Sequence, residues 1–221
     1  MSSAVIRSFV RREGRFTQGQ KLAFKNYWSL YGIEPAEGHL DLAGVFSNTQ
    51  PTILDIGFGN GEALLALAKQ YPELNILGVE VHRPGIGSLL RGVAEAEINN
   101  VRVINMDAVI LLQEHIAAEF LSAVLVWFPD PWSKRRHHKR RMIQTEFVQL
   151  VANKLVSDGE LNIATDWQHY ACHIQKTLDN CALFEKITVS NLIQQRPNTK
   201  FERRGKRLGH QVFDQVYKKV R

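Results

Sequence analysis

Four acidic residues follow or end short apolar runs in this chain: Asp55, Glu80, Asp107 and Asp130. In an open parallel α/β sheet such places are strand tips, and ligands bind beyond them near the switch in strand order. Asp55 is followed at once by Gly57-x-Gly59-x-Gly61, a turn in which glycine frees positive φ and lets the backbone approach a ligand closely. The helix after such a turn offers unpaired N–H groups to partial negative charge. Glu80 lies 23 residues beyond Gly57, where a carboxylate can accept both ribose hydroxyls of an adenosine. Asp107 can accept an adenine amino group or cap the helix it precedes, and one duty does not exclude the other. Asp55 stands in an apolar strand, and a buried carboxylate there needs a partner such as a ligand ammonium. A dinucleotide fingerprint would place a third glycine at position 62, but Glu62 stands there, and its charge opposes a pyrophosphate. The acids therefore favour S-adenosylmethionine, which has an adenosine and an ammonium but no phosphate, over NAD.

A second group of residues follows a later apolar run. Pro129 and Pro131 bracket Asp130, fix φ on both sides of it and hold it for positioned chemistry. Trp132 can pack beneath that loop or stack on an unpaired base. Lys134 opens the run KRRHHKRR, suited to backbone phosphates. Asp166 follows another strand and can accept from base N–H groups. Thr165 to Gln168 also has the form of a capping box, which would put Asp166 in a helix's first turn. Thr199, Lys200, Phe201 and Glu202 bring a hydroxyl, a cation, an aromatic ring and a carboxylate together in a polar segment. The plain alternative for them is a surface loop with Phe201 tucked inward. His169, Cys172 and His173 share a helix face, but with no fourth ligand or paired thiolates beside them no metal is expected.

The elements that must position these groups are legible in the apolar pattern. Thr17 to Gln20 reads as a capping box for a helix over 18–30. Strands are expected at Thr52–Ile56, Asn75–Val79, Val101–Asn105, Ala123–Phe128 and Glu160–Ala164, with helices between them. Strand interiors that are apolar throughout indicate a parallel sheet covered on both faces. Phe184–Val189 and Val212–Tyr217 follow as two late strands joined by a long polar segment with no helix, giving a hairpin-like antiparallel end. The fold class is α/β: a doubly wound, mostly parallel seven-stranded sheet with helices on both faces and an antiparallel C-terminal edge. Residues 1–50 form a basic arm, a helix and a connection, and residues 51–221 the domain proper.

Charge is unevenly placed. The 221 residues carry 28 Lys or Arg against 22 Asp or Glu, net +6. Residues 1–25 hold six basic and one acidic side chain, residues 134–141 six and none, and residues 196–221 nine and two. The rest of the chain is therefore acidic, and a basic rim on an acidic body fits a polyanion binder. No apolar run is long enough for a membrane span. The start has no secretory pattern, and two cysteines suit a reducing cytosol, so a cytoplasmic location is expected.

With Arg7–Gln20, LDIGFGNG at 54–61, GVEVHRP at 78–84, FPDPWSK at 128–134 and the basic run behind it, ATDW at 164–167, TKFERRG at 199–205 and RLGH at 207–210, the sequence resembles the bacterial tRNA (guanine-N7)-methyltransferases, the TrmB family. The resemblance covers nearly the whole chain. It implies a class I methyltransferase fold, S-adenosylmethionine as donor with S-adenosylhomocysteine as product, and a tRNA guanosine, usually position 46 of the variable loop, as acceptor. It further implies cofactor contacts at Asp55, Gly57, Gly59, Glu80, Asp107 and Asp130, and substrate contacts at Lys134, Asp166 and Thr199 to Glu202. The family often has Glu at the position of Asp55, so this carboxylate reaches one methylene less far, a gap that a water can fill. Guanine N7 has a free lone pair and no proton to lose, so attack requires no general base, and Asp130 acts as the catalytic positioner of guanine and cofactor. Rival readings are a non-catalytic RNA-binding protein on the same fold, an NAD-linked oxidoreductase, and methylation of an exocyclic amine, which the loose likeness of Asp130–Trp132 to an Asp-Pro-Pro-Tyr loop would serve. The sequence leaves monomer or homodimer open.

Overall fold

The computed structural model describes residues 16–220. The cations Arg7, Arg11, Arg12 and Arg15 of the expected arm, and most of the 7–20 motif, lie outside the described residues. The expected capping box is present: Thr17 Oγ1 accepts from Gln20 N–H at 3.3 Å, and Gln20 Oε1 accepts from Thr17 N–H at 2.9 Å. It opens α1, Gln18–Tyr31. Two short elements follow that the apolar pattern does not announce, β1 (Gly32–Ile33) and α2 (Leu42–Phe46).

The regular alternation then proceeds as β2 (Thr52–Ile56), α3 (Glu62–Gln70), β3 (Asn75–Val79), α4 (Arg83–Glu95), β4 (Val101–Ile104) and α5 (Ala108–Ile110), the last prolonged by a π turn over Leu111–His115. Next come β5 (Leu121–Trp127), a 3-10 segment over Arg135–Arg140, α6 (Thr145–Lys154), β6 (Leu155–Thr165) and α7 (Gln168–Asp179). The chain closes with β7 (Phe184–Ile187), α8 (Lys200–Arg207) and β8 (Phe213–Lys219). No helix among the described residues is long and apolar enough to cross a membrane.

One sheet holds every strand, in the order β1-β4-β3-β2-β5-β6-β8-β7. Pairings from β1 to β6 are parallel, and β8 is antiparallel to both β6 and β7. The two-residue β1 adds an eighth strand to the expected seven. The late strands are antiparallel as expected, but β8 inserts between β6 and β7, so the last strand is interior. Each of the central strands β2 and β3 is buried along its whole length. Period-two alternation sends Leu54 and Ile56 into one core layer with Leu77, Val124 and Tyr170, and Ile53 into the other with Leu64, Leu67 and Leu89. Asp55 shares the face of Ile53, on the side where α3 and α4 pack. Strand order reverses between β2 and β5, so a crevice opens beyond their carboxyl ends.

Two expectations about the later chain need correction. The polar segment before β8 contains a helix, α8, whose sequence KFERRGKR lacks an apolar stripe and so escapes a periodicity search. Its signal is the capping pair Thr199 and Glu202. Conversely, Thr165 does not cap a helix: it ends β6, its Oγ1 accepts from Trp167 N–H at 3.3 Å, and α7 begins only at Gln168. Asp166 therefore sits in the turn between strand and helix.

Candidate active site

The glycine turn leaves β2 with positive φ at Gly57 (73°) and Gly59 (63°), and a Cβ on Gly57 would meet no atom within 4 Å. The turn thus bares its backbone to open space at Gly57, whereas Phe201 covers Gly59. Glu80, at the tip of β3, organises it: Oε2 accepts from Gly59 N–H at 3.0 Å, and Oε1 accepts from Val81 N–H at 2.7 Å and His82 N–H at 3.0 Å. Three backbone donors fill most of the carboxylate's roughly four acceptor sites. Glu80 fixes the turn and has limited capacity left for a ribose hydroxyl.

Asp55 differs. It is 2% exposed, and no hydrogen bond to its carboxylate is found among the described residues. Burial, and secondarily the nearby charge of Glu80, push its carboxyl up to about 7. An ammonium group would relieve this cost, since a buried charge needs a partner. The carboxylate borders a recess of about 20 Å³ shared with Gly57, Trp127, Thr199, Lys200 and Phe201. A buried acid without a hydrogen-bond partner among the described residues, beside a glycine turn open at Gly57, fits the aminoacyl and adenosine ends of S-adenosylmethionine. Asp107 caps α5, its Oδ1 accepting from Val109 N–H at 2.7 Å and Ile110 N–H at 3.3 Å. It does not line the cleft described next.

A cleft of about 740 Å³ lies over the crevice, walled by Gly57, Gly59 and Glu80 on one side and by Phe128 to Lys134 on the other, with Phe201 above. The wall containing Asp130 is held under strain: Phe128 (φ 55°) and Trp132 (φ 45°) occupy the left-handed region that non-glycine residues avoid. Its ends are fixed by Phe128 N–H donating to the Ala164 carbonyl at 2.7 Å and by Arg141 Nε donating to the Pro131 carbonyl at 2.9 Å. Trp132 packs edge-on to His137, with centroids 5.8 Å apart, and under the Arg140 guanidinium at 4.5 Å. That arrangement supports packing within the chain for this indole. Lys134 is exposed at the head of the 3-10 segment. Desolvation and the cations around them hold His137 and His138 below the usual imidazole range, so the run carries its charge on Lys and Arg alone at neutral pH. Arg141 departs from expectation: the last cation of the run is 2% exposed and turned inward.

Helix α8 places the other candidates. Thr199 Oγ1 accepts from Glu202 N–H at 3.0 Å, which starts the helix beside the Asp55 recess. Phe201 is not tucked inward; it is 52% exposed, lies over Gly59 and stacks on Phe128 with centroids 6.5 Å apart. Glu202 is buried and paired with Arg196 and Lys206, each at 2.7 Å. Asp166 accepts from His210 Nδ1 at 3.2 Å, and a Cβ on Gly205 would come within 2.7 Å of its Oδ2. Gly57, Gly59, Glu80, Asp130, Lys134 and Phe201 thus meet in the cleft, and Asp55, Thr199 and Lys200 in the adjoining recess. Asp107, Asp166 and Glu202 line neither.

Trp127 and Arg141 are the structural contributors that sequence reading missed. Trp127 ends β5 and walls both cavities, a placement signalled only by its position. On the helix face shared by His169, Cys172 and His173, where no metal is expected, His169 Nδ1 accepts from Arg141 at 3.1 Å and His173 Nε2 donates to the Ile143 carbonyl at 2.8 Å.

Residues 49–215 match a family model described as "Putative methyltransferase". A protein of Halorhodospira halophila, named tRNA (guanine-N(7)-)-methyltransferase, is 48% identical over 217 residues, covering 96% of this chain and 94% of its own. A protein of Alkalilimnicola ehrlichii with the same name is 49% identical over 219 residues, covering 97% and 92%. Among solved structures, a 16S rRNA (adenine(1408)-N(1))-methyltransferase from Catenulisporales acidiphilia superposes with a TM-score of 0.56 at 14% identity, over 81% of this chain and 90% of that one. An aminoglycoside resistance methyltransferase gives 0.54 at 17%, over 81% and 92%. At these identities the structural likeness bears on the fold alone.

Proposed function

Because the chain belongs to the tRNA (guanine-N7)-methyltransferase family and so transfers the methyl group of S-adenosylmethionine to N7 of a guanosine in tRNA, we propose that its acceptor is the variable-loop guanosine at position 46 and that the cleft between Glu80 and Asp130 is where transfer occurs. The observation that carries the assignment of the cleft is the buried Asp55, without a hydrogen-bond partner among the described residues, beside a glycine turn that walls the cleft together with the strained Asp130 loop.

When bound, S-adenosylmethionine supplies an electrophilic methyl group on a sulfonium. In the proposed arrangement Asp55 holds the ammonium, the Gly57–Gly59 backbone lies against the adenosine and Glu80 uses its remaining acceptor site on the ribose, while Asp107, outside the cleft, caps α5 and contributes only by fixing the start of that helix. Asp130, clamped by its two prolines, orients the guanine's donors so that N7 points at the methyl group. No proton leaves N7, so no residue has to act as base before attack, and the gain comes from alignment and exclusion of water. Lys134 and the exposed cations after it hold flanking phosphates, which position the RNA without specifying it. Thr199, Lys200 and Phe201 close the recess over the cofactor's amino-acid end, and Asp166 acts from the neighbouring turn. Glu202 supports them by seating α8. Action on tRNA supports a cytoplasmic location.

The test is incubation of the protein with methyl-labelled S-adenosylmethionine and unmodified tRNA, followed by nucleoside mapping. Label is expected in 7-methylguanosine at position 46 and absent from tRNA with carbon at guanine position 7. Label at another guanosine would overturn the position, and label in the carbon-substituted tRNA would overturn N7 as acceptor.

A further inference from the structure

We propose that Arg141 is a positioning residue for methyl transfer, aiming Asp130 through the Pro131 carbonyl, and does not bind phosphate as the rest of its run does. The inference rests on the reading that Asp130 faces the transfer site. Arg141 closes a stretch of six cations, yet it is 2% exposed while Lys134, Arg135, Arg136 and Lys139 are exposed. Its guanidinium joins two segments. Nε donates to the Pro131 carbonyl at 2.9 Å, Nη2 donates to His169 Nδ1 at 3.1 Å, and the group lies 4.9 Å over the Tyr170 ring. Both His169 and Tyr170 belong to α7, which packs in the core, so the loop is tied to a rigid element.

The site departs from ordinary ion pairing. Among the described residues Arg141 has no salt bridge, and its Nη1 is buried with no hydrogen-bond partner. Desolvating a guanidinium without a carboxylate is costly, so its retention calls for a geometric return. That return is at Pro131, whose carbonyl belongs to the peptide group next beyond Asp130. With Phe128 anchored to Ala164 at the other end, the bond from Arg141 restrains a loop that carries two left-handed non-glycine residues. Lysine could not reproduce the fork, because it lacks the planar pair of donors.

The experiment compares Arg141→Lys and Arg141→Met with Lys134→Ala and Asp130→Asn, measuring kcat, tRNA KM, S-adenosylmethionine binding and the salt dependence of tRNA binding. Both Arg141 variants are expected to lose kcat on the order of 10- to 100-fold, with cofactor affinity and the salt slope kept. Lys134→Ala should instead reduce that slope by about 0.7 to 0.9. Near-parental kcat in Arg141→Met, or a slope reduced as in Lys134→Ala, overturns the proposal. So does a failure of both Arg141 variants to fold and bind cofactor while His169→Ala, which removes one partner of the guanidinium, keeps full kcat; a reduced kcat in His169→Ala at an unchanged slope supports it. An active Asp130→Asn would overturn the transfer-site reading itself, a result distinguishable from failure at Arg141 alone.

Discussion

Arg203 of α8 donates through Nη2 to both carboxylate oxygens of Glu62, at 2.8 and 2.7 Å, across 141 residues of sequence. Glu62 is the first residue of α3, directly after the glycine turn, so the pair fastens the lid-like α8 to the helix that begins at the cofactor side of the cleft. Both side chains are about half exposed, which limits the pair to roughly 0–1 kcal/mol of stability. Arg203→Ala and Glu62→Gln should therefore change urea unfolding by less than about 1 kcal/mol. Their effect should be seen in S-adenosylmethionine affinity, because α8 carries Thr199, Lys200 and Phe201 over the Asp55 recess. A double-mutant cycle on the dissociation constant should show coupling, and the exchange Glu62→Arg with Arg203→Glu should recover part of the loss. Additive effects would mean that the pair does not seat α8 for binding.

Asp55 predicts a pH dependence of definite sign. Its carboxyl is raised from 3.8 to about 7 in the folded chain, so the native state holds a proton that the unfolded state has released across that interval. Folding stability should fall as pH rises through the interval, by up to about 1.4 kcal/mol per pH unit, and level off above it. Asp55→Asn should remove the slope and be more stable than the parent in mild alkali. Cofactor binding should run the other way, since the ionised carboxylate attracts the ammonium. Parental affinity is expected to climb as pH rises through neutrality, and the Asn variant to bind about tenfold or more weakly on the alkaline side without that climb. Calorimetric titration at several pH values would decide, and a parental affinity independent of pH would remove Asp55 from the ammonium site.

The core of the fold could be read because its signals are local and repeated. Thr52–Ile56 and Asn75–Val79 are apolar on both faces, which only a covered parallel strand requires, and their limits match the structure residue for residue. Asp55, Glu80 and Asp130 were legible for the same reason, as acids at the ends of such runs. Helix α8 was not, because its stability comes from a cap at Thr199 and from ion pairs with Arg196 and Glu62 distant in sequence, none of which leaves a periodic trace. Arg141 misled for a related reason. Composition places it with five surface cations, and only the tertiary packing of α7 turns it inward.

Asp130 gives the most direct test of the cleft. Its loop is restrained by Pro129, Pro131 and two backbone anchors, so replacement by Ala should leave thermal unfolding close to the parent. Methylation should be largely abolished, while tRNA binding, which depends mainly on the cations, should change little. Single-turnover assays with saturating tRNA and cofactor separate these effects. Near-parental transfer in Asp130→Ala would place the reacting guanosine elsewhere.

Glu202 should behave as a support for α8, with a pH signature opposite to that of Asp55. Burial pushes its carboxyl up, but hydrogen bonds from Lys206 and Arg196 more than offset this and hold it below the usual carboxylate range. A depressed carboxylate contributes stability that is present above its unfolded value of 4.5 and is lost as pH falls through the lower folded value. Glu202→Gln should therefore cost on the order of 1–3 kcal/mol at neutral pH, and the difference from the parent should shrink in acid. Arg196 keeps Asp214 at 2.7 Å, which limits the damage from the lost partner. If Glu202 acts only through α8, the same substitution should weaken S-adenosylmethionine and tRNA binding together. A variant of full stability that loses only tRNA turnover would instead put the carboxylate of Glu202 in contact with the guanosine.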